Sequence, residues 1–397
     1  MSFLLETCLI LLSVLAAGRL SQRLGQPAVL GQLLAGVVLG PALLGWLHPN
    51  ELITEIAEIG VVLLMFIAGL ETQFDEIKRN AVAATLVAVS GVVLPFVGGW
   101  ATAAGWGHDS ATAIFTGVLL VATSVSISAQ TLKELGYLRS RPGVTILAAA
   151  VLDDVLGIIV LSVVLGSLGA GGGGGHGGES LPLLLGKMAA FFAVAALVGY
   201  KLLPGLMRRV ARMEGSLPLL TVAICVALGY AWAAEFAGLA GIIGAYVAGL
   251  MLSLTELKEK LMHEVEHTAY AFFVPFFFVN VGLSATFAGL SGSFLFFVLV
   301  LVLVAVITKV IGCGAGALLA RFSFKEATGV GVGMMARGEV GLIVATIGLD
   351  QGLIPAQLYT AMVIVSLGTT LLTPPLLKAI FRTMPAQEEL KPQPTMD

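Results

Sequence analysis

Long apolar runs separated by short polar segments dominate the pattern of this chain. Thirteen runs approach the roughly 20 residues that a helix needs to cross a bilayer, with centres near residues 11, 36, 62, 91, 123, 155, 193, 224, 246, 276, 306, 337 and 368. Composition agrees, since 58% of residues are hydrophobic and only 11% are charged. The pattern therefore predicts an all-α membrane protein with 13 transmembrane helices and excludes a soluble domain.

Basic residues gather on one face of the predicted bundle. If successive spans cross in alternate directions, 18 of the 21 Lys and Arg residues fall at span ends that share one face, here called the basic face. The positive-inside rule makes that face cytoplasmic. We therefore predict a multi-pass protein with its N-terminus outside and its C-terminus in the cytoplasm.

An internal repeat is visible at an offset of 213 residues. The matches pair Gly31, Ala35, Gly36 and Leu39 with Gly244, Ala248, Gly249 and Leu252, and Gly69-Leu70 with Gly282-Leu283. Seven spans separate the copies, and because seven is odd the second copy is predicted to be inverted. Inverted repeats are typical of secondary transporters, whose substrate site lies at mid-membrane between the halves.

The repeat divides the chain into four segments. They are a first inverted repeat of six spans (1–168), a Gly-rich loop with a bridging span (169–212), a second inverted repeat (213–384) and a cytoplasmic tail (385–397).

Two adjacent carboxylates, Asp153 and Asp154, lie in the middle of the sixth span. A charge at that depth costs about 2.5–3.5 kcal/mol on insertion scales, so it indicates function. Consecutive helical residues point about 100° apart, so the two cannot serve one partner. One is expected to face a fixed counter-charge and the other a water-filled cavity.

Lys309 is buried mid-span in the eleventh run and needs an anion, for which either aspartate is a candidate.

The repeat makes spans five and twelve counterparts, and both are predicted to be interrupted. Span five carries hydroxyls at its centre, with Thr123 and Ser124 at the midpoint, and Ser or Thr can satisfy backbone groups freed by a break. Span twelve combines glycines with Arg337 and Glu339. These two charges are predicted to neutralise half-helix ends or to gate the site rather than to carry ions. Paired interrupted helices indicate a transporter's binding site.

These motifs together resemble the second group of bacterial monovalent cation–proton antiporters. The resemblance rests on Asp153-Asp154, Lys309, the segment Ala336-Arg337-Gly338-Glu339-Val340-Gly341, and Leu34-Ala35-Gly36 through Gly40-Pro41. It implies a homodimer whose protomers each have a dimer domain and a core transport domain, with spans five and twelve crossing beside the aspartates. It also implies that Asp154 binds the cation and that Asp153 pairs with Lys309. Related Kef-type potassium efflux systems carry Gln-Asp at this pair and a nucleotide-binding C-terminal domain, so Asp-Asp here favours an ungated sodium/proton exchanger.

The predicted function is electrogenic sodium/proton antiport by alternating access, in which cation and proton compete for Asp154, with Thr123 and Ser124 lending oxygens. Potassium/proton antiport on the same fold and a cation channel are the alternatives. We predict no catalytic residue and no cofactor. The expected partners are Na⁺ and H⁺ (with K⁺ or Li⁺ as alternative cargo), the lipid of a bacterial inner membrane and a second copy of the chain, but not nucleic acid.

Overall fold

The computed structural model describes residues 3–72, 74–168, 181–213, 217–284 and 292–382, and these are helical apart from short connections. The predicted Gly-rich loop and the predicted tail at 385–397 lie outside the described residues. A π-helical turn, Ala269–Phe273, joins α12 to α13. The helices are α1 (Phe3–Arg23), α2 (Ala28–Leu39), α3 (Glu51–Glu71), α4 (Phe74–Gly105), α5 (Ser110–Val121), α6 (Val125–Glu134), α7 (Arg141–Ser167), α8 (Leu181–Lys201), α9 (Leu203–Val210), α10 (Leu217–Phe236), α11 (Gly241–Leu252), α12 (Lys258–Thr268), α13 (Val274–Leu283), α14 (Gly292–Leu319), α15 (Phe324–Gly333), α16 (Glu339–Asp350) and α17 (Ala356–Phe381).

Nine helical stretches in the described ranges are long and apolar enough to cross a membrane. One of them, Ser110–Glu134, contains both α5 and α6. Three shorter apolar helices, Ala28–Leu39, Gly241–Leu252 and Val340–Leu349, lie among them. The protein is therefore an all-helical, multi-pass membrane protein, as the apolar runs predict.

The helices pack as two groups. In one group α4 lies against α14, α5 and α7, while α17 contacts α14, α15, α16 and α6. In the other, α3 lies against α11 and α13, with α2, α1 and α10 packed around them. Contacts of α6 with α2 and α3, and of α17 with α2, connect the two groups.

Two close helix contacts in the second group are related to each other by the repeat offset of 213 residues. A Cβ built on Gly36 of α2 would lie 2.3 Å from the carbonyl oxygen of Val279 in α13. A Cβ built on Gly249 of α11 would lie 2.1 Å from that of Phe66 in α3. Adding 213 to 36 gives 249, and adding 213 to 66 gives 279. The two glycines are therefore repeat counterparts of each other, and so are the two residues whose carbonyls they approach. Only glycine permits backbones this close, which explains why the sequence repeats it.

Candidate functional site

The site is built where two broken helices cross. The first is interrupted between α5 and α6, and the second between α15 and α16. At the crossing, the backbone N–H of Ser124 donates to the carbonyl oxygen of Ala336 at 2.8 Å. A Cβ on Gly338 would lie 2.7 Å from Ser124 Oγ, so only glycine fits this contact. The interruptions fall where the hydroxyl-rich and glycine-rich segments of the sequence predict them.

Hydroxyl groups satisfy the backbone that the second break leaves without helical partners. The Arg337 N–H donates to Thr369 Oγ1 at 3.1 Å. The Arg337 carbonyl oxygen accepts from Ser366 Oγ at 2.9 Å and from Thr370 Oγ1 at 2.6 Å. Ser128 Oγ donates to the carbonyl oxygen of Gly333 at 2.5 Å. Unwound backbone is tolerated at membrane depth only when it is satisfied in this way.

Lys309 and Asp153 form an ion pair away from solvent. Lys309 Nζ lies 2.9 Å from Asp153 Oδ1 and 3.1 Å from Oδ2, and the two side chains are 0% and 1% exposed. The ammonium also donates to the carbonyl oxygens of Gly91, at 2.9 Å, and Val121, at 3.0 Å. The structure therefore gives Lys309 the anion that its depth requires, and that anion is Asp153.

Both carbonyls that accept from Lys309 lack a helical N–H donor, for reasons visible in the chain. Residue 95, which would donate to the Gly91 carbonyl inside α4, is proline and has no N–H. Val121 is the last residue of α5, so its carbonyl has no helical donor either. The lysine thus occupies a position where two backbone acceptors and one carboxylate converge, and its three N–H groups are all used.

Arg337 is also fully buried, and among the described residues its guanidinium donates to backbone carbonyls. Its Nη1 donates to Met335 O at 2.9 Å, and its Nη2 donates to Leu120 O at 2.8 Å and to Ala305 O at 3.2 Å. Leu120 lies in the last turn of α5 and Met335 just beyond the end of α15, where the helix dipoles leave negative partial charge. The predicted partner in this role, Glu339, begins α16, but its side chain lies outside the described part of the structure.

Asp154 faces a small cavity of about 40 Å³ that is large enough for water or an ion. Its side chain is 9% exposed and shares the cavity wall with Asp153. Apart from the two aspartates the wall is apolar or glycine, and it consists of Val118, Val121, Ala122, Gly157, Ile158, Leu161, Ala240, Val340 and Val344. Thr123 and Ser124 are buried at the neighbouring break and do not belong to this wall.

Several residues of the site were not predicted from the sequence. Gly91 and Pro95 supply an acceptor for Lys309, and Ser366, Thr369 and Thr370 hold the second break. A usable signal existed for the first pair, because a proline inside an apolar run frees the carbonyl four residues before it. For the hydroxyls of α17 the pattern gave no signal that separates them from ordinary packing residues.

Comparison with known proteins decides the family. Residues 9–383 match the family described as "Sodium/hydrogen exchanger, transmembrane". The chain belongs to the sodium/hydrogen exchanger family. This confirms the resemblance to cation–proton antiporters, which are transporters rather than enzymes.

Three relatives illustrate the similarity. The chain is 44% identical over 379 residues to the Na(+)/H(+)-K(+) antiporter GerN of Bacillus cereus, covering 96% of each chain. It is 41% identical to the Na(+)/H(+) antiporter of Enterococcus hirae, covering 95% of this chain and 98% of that one. The solved sodium proton antiporter MjNhaP1 of Methanocaldococcus jannaschii matches with a TM-score of 0.72 at 16% identity, covering 99% and 100%. That structural match shows a shared fold.

Proposed function

We propose that this exchanger family member is a sodium/proton antiporter whose cation and proton compete for Asp154. The observation that carries the proposal is the arrangement of the two aspartates. Asp153 is bound by Lys309, whereas Asp154 faces the cavity beside the crossing of the broken helices. A carboxylate in an apolar wall binds a proton or a dehydrated cation, because burial disfavours its bare charged form. Exchange follows if the site crosses the membrane only when it is filled.

The proposed exchange moves net charge. With the proton bound, Asp154 is neutral and the Asp153–Lys309 pair sums to zero. If a sodium ion at Asp154 loosens Lys309 from Asp153, the buried lysine releases its own proton, since desolvation favours the neutral form. Two protons then move against each sodium. Because Lys309 and Asp153 are coupled, the second proton belongs to the pair.

The architecture that we propose has thirteen spans, in two inverted six-helix repeats joined by α8. The reciprocal glycine contacts and the matching bounds of α2 and α11, which differ by 213 at both ends, support this assignment. The group containing α4, α7 and α14 would be the core transport domain, and the group around α3 and α11 the dimer domain of a homodimer. The basic face would be cytoplasmic, with the N-terminus outside and the C-terminus inside.

Potassium is the second candidate cargo. The 44% identical relative is named as an Na(+)/H(+)-K(+) antiporter, and the part of the site described above fixes no cavity size that excludes K⁺. We therefore expect sodium transport, with potassium transport at the same aspartate as the alternative.

The deciding experiment measures collapse of a pH gradient in proteoliposomes on addition of Na⁺, K⁺ or Li⁺. The unaltered protein should respond to sodium, and Asp154→Asn should respond no more than empty liposomes, because the amide cannot alternate between proton and cation.

Asp109→Asn is the matched control, since Asp109 caps α5 at its start and asparagine caps as well. Sodium-driven exchange by Asp154→Asn would remove Asp154 from the central role. A current without any proton gradient would indicate a channel instead.

A further inference from the structure

An ion-pair cluster at the end of α6 connects the two helix groups. Lys133 Nζ lies 2.9 Å from Glu71 Oε1 at the end of α3 and 2.6 Å from Glu266 Oε1 in α12. The three side chains are 19%, 12% and 36% exposed. One lysine of α6 therefore bridges to α3, in the second group, and to α12, which packs against α3 and α10.

Neighbouring polar contacts strengthen the same connection. Glu134 Oε2 accepts from the backbone N–H of Ala28, the first residue of α2, at 2.7 Å. Tyr270, in the π-helical turn, donates to Gln130 Oε1, and its ring centroid lies 5.3 Å from Lys133 Nζ. We call Gln130, Lys133 and Glu134, with Glu71, Glu266 and Tyr270, the α6 latch.

The repeat positions that correspond to the α6 latch, at the end of α16, carry no charged residue. Adding or subtracting 213 carries each member of the α6 latch to an uncharged residue. The counterparts of Gln130, Lys133 and Glu134 are Ile343, Thr346 and Ile347, and those of Glu71, Glu266 and Tyr270 are Ser284, Ile53 and Ala57. Thr346 Oγ1 donates within its own helix, to Leu342 O at 3.0 Å. Among the described residues, the α6 end of the crossing thus has interhelical ion pairs at positions where the α16 end has uncharged residues.

The cavity at Asp154 lies on the side without the latch. Its wall includes Val340 and Val344 of α16, and Ala240, the residue that precedes α11. The repeat maps Val340 and Val344 to Ile127 and Thr131 of α6, which are 1% and 0% exposed. A cavity therefore lies beside Asp154 on the α16 side of the crossing. On the α6 side, where the α6 latch lies, the equivalent residues are buried.

We propose that the α6 latch closes the route from the basic face to Asp154. The latch opens when Asp154 becomes accessible from that face. The proposal rests on alternating access under the proposed function. Lys133 acts here as a positioning residue, because it holds α6 against α3 and α12 without touching the aspartates. The Glu71 and Glu266 side chains are 12% and 36% exposed, so water can replace Lys133 at the carboxylates when the latch opens, and the closure is reversible.

The repeat also identifies where the opened route would appear. If α6 moves away from α2 and α3, the buried face with Ile127 and Thr131 becomes the wall of the new cavity, as Val340 and Val344 are of the present one. A thiol at position 131 would then report opening at the basic face. A thiol at position 344 would report the route on the other side.

The test measures the rate at which a charged, water-soluble maleimide labels Thr131→Cys or Val344→Cys in purified protein. The background has Cys8, Cys225 and Cys313 replaced by alanine. Lys133→Met should raise the labelling rate of the thiol at position 131 about tenfold, as a loss of about 1.4 kcal/mol in latch pairing does to an equilibrium. Labelling at position 344 should fall. Lys325→Met, which removes an exposed lysine outside the latch, should change neither rate.

Opposite movement of the two rates is the result that supports the latch. Unchanged rates, or a rise at both positions as general loosening would give, overturn it. Should Lys133→Met fail to purify, Glu266→Gln leaves the Lys133–Glu71 pair and should produce the same opposite shift at smaller size. Labelling needs no transport, so a parent protein that fails to exchange sodium for protons counts against the proposed function alone.

Discussion

Loss of the Lys309 ammonium should destabilise the protein, and removal of Asp153 in the same chain should restore part of the loss. Lys309→Met leaves the Asp153 carboxylate buried without its counter-charge. It also removes the ammonium donor from the Gly91 and Val121 carbonyls, of which Val121 keeps the Thr123 hydroxyl at 3.4 Å. The double variant Asp153→Leu with Lys309→Met removes the uncompensated charge but not the deficit at the two carbonyls.

The structure sets the size of each effect. Breaking a buried pair by removing one partner costs about 3–5 kcal/mol, because the remaining charge stays desolvated. Replacing both partners by apolar groups of similar shape is close to neutral for the pair itself. Loss of the ammonium donor at the two carbonyls retains a cost of about 1–3 kcal/mol in both variants. Because the carbonyl cost is common to both variants, we expect the double variant to be more stable than Lys309→Met by about 3–5 kcal/mol.

The assay is unfolding in mixed micelles with increasing denaturing detergent, run as a double-mutant cycle with Asp153→Leu alone as the fourth corner. Lys325→Met serves as the matched control, because the lysine it removes is exposed, and no change beyond error is expected. A double variant that is no more stable than Lys309→Met would refute the reasoning. It would mean that the charge on Asp153 does not cause the destabilisation.

Three further results are expected. Single cysteines from Thr123→Cys and Ala336→Cys, on a cysteine-free background, should cross-link with a short reagent, since the breaks cross at the hydrogen bond to residue 336; failure in a protein that still transports would count against the crossing. Gly249→Ala should reduce stability, because its Cβ would lie 2.1 Å from a carbonyl oxygen, whereas Gly229→Ala in open space should not; equal effects would contradict the close contact. Sodium-driven proton movement should respond to an imposed membrane potential, and Lys309→Met should lose that response or cripple transport; a zero net charge per cycle in the unaltered protein would argue against two protons per sodium.

The sequence alone determined the class of the protein and the position of its chemistry along the chain. Hydrophobic runs report the lipid environment directly, because each spanning residue must be apolar or have a reason not to be. The same cost singled out Asp153, Asp154, Lys309 and Arg337. Hydroxyls and glycines at the centres of spans five and twelve indicated the breaks, since helix stability there depends on local composition.

The tertiary structure decided which groups meet. From the pattern either aspartate could have paired with Lys309, because the choice depends on how α7 is rotated against α14, and rotation is set by packing along the whole helix. The same holds for the Gly91 carbonyl, which Pro95 frees but only the approach of α14 uses. The α6 latch joins residues that are 62 and 133 positions apart in the chain, Glu71 with Lys133 and Lys133 with Glu266. Periodicity describes one helix at a time, whereas partners across helices depend on crossing angles and register that no single segment carries.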